Sequence, residues 1–101
     1  MSKKERGSVL LSAYDTINGE KVDEYGNPEN SFDLIAEFWS TYLSNKSEYS
    51  LKINNKDVAV MMALMKIARI ITGSDKSDSY IDCCGYIALA SDMAKENEAA
   101  D

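Results

Sequence analysis

The sequence contains no histidine, and its two cysteines, Cys83 and Cys84, are adjacent. Neighbouring residues on a helix point about 100° apart, which suits no ordinary disulfide between them. With no histidine and no second cysteine pair, the ligand spacing of a zinc site is absent. Two reduced thiols in a helix are expected of a cytosolic protein. Long hydrophobic runs are missing as well. The longest, Val58 to Ile71, is broken by Lys66 and Arg69 and is too short to span a bilayer. The polar N-terminus has no apolar segment of the signal-peptide kind. The expected location is the cytoplasm, with no membrane partner.

Positive charge is scarce. The 11 lysines and arginines face 17 aspartates and glutamates, for a net charge of −6 and a pI near 4.6. A protein that binds duplex nucleic acid presents a basic face to the phosphates. Here the only basic cluster is Lys3, Lys4 and Arg6, three charges on an expected tail. Duplex nucleic acid is therefore not an expected partner. An anionic small ligand is compatible with this balance, because it needs only two or three converging cations.

What remains is a helical pattern. The 101 residues are 45% hydrophobic, enough for one compact domain over residues 1–101. The expected tails are 1–5 and 97–101. A domain of this size buries only about two thirds of its unfolded surface, so a homo-oligomer is expected. Apolar spacing predicts four helices, near 6–18, 31–44, 55–72 and 77–97. Val9, Leu10, Ala13, Tyr14 and Ile17 form the first stripe, which Gly19 ends. Phe32, Ile35, Ala36, Trp39 and Leu43 form the second, with Asn30 or Ser31 as cap. The third segment is apolar on two faces, Val58-Met61-Met62-Met65-Ala68 and Val60-Leu64-Ile67-Ile71. Such a helix is either the centre of the domain or an oligomer interface. The short turn at Gly73 predicts an antiparallel hairpin between the third and fourth helices. The expected class is an all-α, four-helix, oligomeric domain with that hairpin at its centre.

Two groups of residues could carry chemistry. Lys66 and Arg69 share one face of the third helix, and Asp78 and Asp82 share one face of the fourth. Counted back from the turn, the four charges meet across the hairpin. The plainer reading is a salt-bridge network that fixes helix register. The functional reading is a pocket whose cations take phosphate while the carboxylates take sugar hydroxyls or a divalent metal. The second group is Tyr25-Gly26-Asn27-Pro28-Glu29-Asn30, a Gly-Pro turn leading into a helix N-terminus. There Tyr25 could stack on a base and the backbone could receive an anion. The plainer reading is a capped helix start with a packed tyrosine. Trp39 and Tyr42 fit core or interface, and Met61, Met62 and Met65 fit core filler.

The same residues carry a resemblance. Glu24 to Phe32, then Ile35-Ala36, Trp39 and Tyr42-Leu43, resemble a family of small, mostly phage-encoded proteins of unassigned function. The likeness continues through Asp57-Val58-Ala59, Met61-Met62, Lys66-Ile67-Ala68-Arg69, Asp78-Ser79, Asp82 and Gly85-Tyr86. It covers most of residues 9–92. More distantly, a Lys-x-x-Arg helix before an acidic helix is similar to phage nucleotide-modification-associated domains. Those in turn look like MazG-type nucleotide pyrophosphohydrolases, which hold magnesium on paired Glu-x-x-Glu and Glu-x-x-Asp motifs. Here the acidic pairs at that spacing are Glu20/Asp23, Asp75/Asp78 and Glu98/Asp101, all in loops, helix ends or the tail. Asp78 and Asp82, with Glu37 or Asp33, would supply only a reduced set.

Three functions follow as expectations. The first is a nucleotide-binding sponge with no turnover and no cofactor, which the resemblance places in phage anti-defence within the host cytoplasm. Its ligand would sit among Tyr25, Asn30, Lys66, Arg69, Asp78 and Asp82. The second is a Mg²⁺-dependent MazG-like pyrophosphohydrolase. The third is a helical protein that inhibits a host protein, with its charges purely structural.

Overall fold

A computed structural model of the chain describes residues 3–19, 27–73 and 76–100. The described residues form four α-helices and no strand: α1 (Lys3–Asn18), α2 (Pro28–Lys46), α3 (Asn55–Thr72) and α4 (Ser77–Ala100). No helix among them is long and apolar enough to cross a membrane.

The helices match the apolar stripes, and their ends differ for local reasons. α2 begins at Pro28, earlier than the Asn30 or Ser31 cap that spacing suggests, with extended Asn27 as its N-cap. Proline arrives with its φ already helical and has no N–H to leave unsatisfied in a first turn. α3 begins as expected, and Asn54 and Asp57 form a reciprocal capping box at 3.0 Å in both directions. α4 continues to Ala100 through Lys95, Glu96, Glu98 and two alanines, which are good helix formers.

Between α2 and α3 the chain doubles back along α2. The Ser40 and Ser44 hydroxyls each accept from a backbone N–H, of Ile53 and Leu51 respectively, both at 2.9 Å. Each also donates to the carbonyl of the same residue. Four helical residues rise about 6 Å and two extended residues about 6.6 Å, so the two repeats coincide. A length of irregular chain is thereby held to the helix by side chains.

α3 and α4 are paired along their lengths. Asn97 donates to Asn55 at 3.0 Å, the Cys83 thiol approaches the Ala63 carbonyl at 3.7 Å, and Lys66 meets Asp82 at 3.0 Å. Residue numbers fall on α4 as they rise on α3. α2 packs on α3, and α1 packs on α4. The core joins Phe32 and Ala36 of α2, Val58 and Ala59 of α3, and Ala90 and Met93 of α4, with Trp39 and Tyr86 at its edge. α1 approaches α4 at Gly85, where a Cβ would come within 3.2 Å of the Ile17 Cγ2.

Candidate functional site

The hairpin charges do not all converge. Lys66 Nζ lies 3.0 Å from Asp82 Oδ2, with 17% of the lysine side chain and 35% of the aspartate exposed. Arg69, three residues further along α3, is exposed, and so is Asp78 in the first turn of α4. Neither makes an ion pair among the described residues. Among the described residues, the four-charge network expected from spacing is thus one ion pair, with the Arg69 guanidinium unpaired on the same helix face. By the same antiparallel register Asp78 falls level with the last turn of α3, near Ile70, and it is exposed there.

Asn30 is exposed in the first turn of α2, where its N–H reaches the Asn27 carbonyl at 3.2 Å. Tyr25 and its neighbours in 20–26 lie outside the described residues. Trp39 is half-buried at the core edge, as expected. Tyr42 is exposed, with the Lys46 ammonium 5.5 Å from its ring centre. Of the three methionines expected as core filler, only Met62 packs on the core, while Met61 and Met65 are exposed. α2 and α4 leave the side of α3 that carries them uncovered.

Two other groupings needed tertiary structure to be seen. Glu29 of α2 and Asp92 and Glu96 of α4 bring carboxylate oxygens within 4.8 Å of one another. The Glu29 charge, some desolvation and Asp92 together raise the Glu96 carboxyl above its ordinary 4.5. Asp92 and Glu96 share a helix face by spacing, but Glu29 joins them only because α2 starts beside the far half of α4. Three largely exposed carboxylates act here as a point of repulsion. The second grouping is a groove of about 890 Å³ between α2 and Ser50–Asn55. Asp33, Glu37, Lys52, Asn55 and Asn97 line it, and Lys66, Arg69, Asp78 and Asp82 do not. Asp33 and Glu37 thus belong to a different concavity from the hairpin charges they were expected to assist. Burial and the neighbouring Cys84 push the Cys83 thiol above its ordinary 9.0. That fits a packed thiol against Ala63 rather than a nucleophile.

Comparison with known proteins gives a consistent result. A family described as a domain of unknown function, DUF6378, matches residues 8–94. The Gene 55 protein of Mycobacterium phage L5 is 33% identical over 86 residues, covering 85% of this chain and 52% of that protein. The Gene 55 protein of Mycobacterium phage D29 is 36% identical over 89 residues, covering 88% and 55%. The chain therefore spans about half the length of the curated relatives it matches. No solved structure matches.

Proposed function

The chain belongs to the DUF6378 family, and from that premise we propose that it binds a phosphate-bearing nucleotide and holds it without turnover. The observation that carries this reading is Arg69, an exposed guanidinium with no carboxylate partner among the described residues, beside the Lys66–Asp82 pair. Asp82 balances the charge of Lys66, which leaves Arg69 as the cation of this group not engaged by a carboxylate among the described residues. A guanidinium offers planar, bidentate recognition of a phosphate. In this reading Lys66 adds a second donor and Asp82 and Asp78 take hydroxyls, while Tyr25 and Asn30 would close the site only from a second copy, because Glu29, beside Asn30, lies against Asp92 and Glu96 in the far half of α4. The α3–α4 pair is then the central antiparallel hairpin of one domain over residues 1–101, and the working form is an oligomer. The relatives are phage proteins, and in this reading the protein works in the host cytoplasm as a sponge for a nucleotide signal in anti-defence.

The test is calorimetry with a panel of mono-, di- and cyclic nucleotides on the wild type and on Arg69→Gln. A charge-assisted contact contributes about 1.5–3 kcal/mol, so the variant is expected to lose about tenfold or more in affinity. A nucleotide bound equally well by both proteins sinks the site assignment.

The hydrolase alternative rests on the resemblance to MazG-type enzymes and would require Mg²⁺. Metal-assisted hydrolysis needs several fixed carboxylates on one ion. Asp82 is already neutralised by Lys66, and Asp78 is exposed at a helix start. Binding therefore ranks first, and recovery of intact nucleotide after incubation with magnesium separates the two. The interaction-protein reading draws on the exposed apolar side chains of α2 and α3 and moves to the front if no nucleotide binds.

A further inference from the structure

α3 is a two-sided helix with one side covered. Asn55, Val58, Ala59, Ala63 and Lys66 turn toward the neighbouring helices, and all are buried or half-buried. Met61, Leu64, Met65, Ile67, Ala68 and Ile71 are exposed, Leu64 at 56% and Ile71 at 77%. At about 100° per residue these six span roughly 160° of the helix, opposite the covered side. An apolar arc of that width ordinarily faces a core.

The rest of the molecule shows the same shortfall. Of the eight buried hydrophobic residues among those described, five are alanines, and Met93 and Val58 are the largest of their side chains fully enclosed. The chain exposes 7572 Å². A compact monomer of 11.2 kDa would expose about 5,700 Å². The excess, on the order of 1,900 Å², exceeds the ~800 Å² that each partner contributes to a standard stable interface.

Charge identifies the occupant. A two-fold contact sets each residue of a patch near its own symmetry mate, so a charged patch would repel itself. Between Asp57 and Arg69 this face carries no charge, because Lys66 is turned to Asp82. With a net charge of −6 on each copy, an uncharged contact face is what association of two such chains requires.

We propose that the outward half of α3 is the contact face of a homodimer, in which a second copy of this chain lays the same six residues against it. This specifies a surface for the oligomer in the functional reading and uses no part of the nucleotide argument, so either can fail alone.

Sedimentation equilibrium of the full chain at micromolar concentrations tests it. The wild type is expected at twice 11.2 kDa, and Leu64→Glu/Ile67→Glu at the monomer mass. Phe38→Glu places the same charge on an exposed apolar residue of α2, outside the face, and is expected to leave the dimer intact. A monomeric wild type overturns the proposal. So does a dimer that Phe38→Glu dissociates while the α3 double variant does not. If circular dichroism shows the double variant unfolded, wild-type amide exchange decides instead. Slower exchange across 61–71 at higher protein concentration supports the face, and concentration-independent exchange there overturns it.

Discussion

Lys66 and Asp82 form a single ion pair 3.0 Å apart, across the helices that carry most of the packing, at the edge of burial rather than within it. Fully buried pairs cost about 3–5 kcal/mol when one partner is removed, and surface pairs contribute about 0–1 kcal/mol. With Asp82 still a third exposed, Lys66→Ala is expected to cost about 1–2 kcal/mol, or several degrees in Tm for a domain of this size. Arg69→Ala, with no ion pair to lose among the described residues, is expected within about 0.5 kcal/mol of wild type. Denaturant unfolding of the two variants side by side checks the contrast. Equal losses would show that Arg69 is held by something beyond the described contacts.

Ser40 and Ser44 hold the returning chain at Ile53 and Leu51. Replacing either by alanine removes a donor and an acceptor together. Ser40 lies in the part-buried section and Ser44 in the exposed one, where water can replace what is lost. Ser40→Ala is therefore expected to cost about 1–2 kcal/mol and Ser44→Ala about half that. Amide exchange should localise the effect. The Ile53 N–H should exchange faster in Ser40→Ala, with Leu51 little changed. Simultaneous acceleration across the whole core would mean that the clasp is not a local device.

Much of this fold was legible because it is helical, and helical packing writes a 3.6-residue period into the chain. Phe32, Ala36 and Val58 read as core and are buried, whereas Ala59, on neither apolar face read from spacing, is buried as well. The capping box at Asn54 was half-visible as an asparagine followed by Asp57. What spacing could not reach was rotation and offset between helices. Asp78 shares a face with Asp82, yet only Asp82 lies level with Lys66. Glu29 has no local relation to Asp92 and Glu96, and only the placement of α2 joins them. The exposed Met61 and Met65 show a third limit: an apolar residue on a helix states that it wants cover, not which molecule supplies it.

The Glu96 carboxyl, raised above 4.5 chiefly by the Glu29 charge, gives a pH dependence of definite sign. A raised folded pKa means the folded chain binds this proton before the unfolded chain does. The destabilising repulsion is therefore fully present above the raised value. It is relieved as pH falls toward the unfolded value and is absent below it. Glu96→Gln removes the charge permanently. The variant is expected to melt above wild type at pH 7, with the difference shrinking as pH falls toward about 4.5, the ordinary carboxyl value, and gone well below it. A difference that is constant across this range, or grows in acid, contradicts the arrangement. Glu29→Gln should reproduce much of the pH 7 gain, since Glu29 is the largest source of repulsion.

Gly85 stands in the middle of α4, where glycine is less favourable than alanine by about 1 kcal/mol on helix propensity alone. Its presence is explained by Ile17, whose Cγ2 would lie 3.2 Å from any added Cβ. The two effects oppose each other. Gly85→Ala gains rigidity in α4 and crowds α1, so in the wild-type background it is expected to be neutral or mildly destabilising. Ile17→Ala removes the opposing methyl, and Gly85→Ala in that background should recover the full gain of about 1 kcal/mol. The coupling in the double-mutant cycle is then expected to exceed about 0.5 kcal/mol, the usual error for independent sites. Gly85→Leu cannot be absorbed by a small shift and is expected to cost about 1–3 kcal/mol or more by displacing α1. Urea unfolding of the four cycle members measures this directly. If Gly85→Ala stabilises both backgrounds equally, α1 does not lie against α4 at this point, and the packing of the first helix must be redrawn.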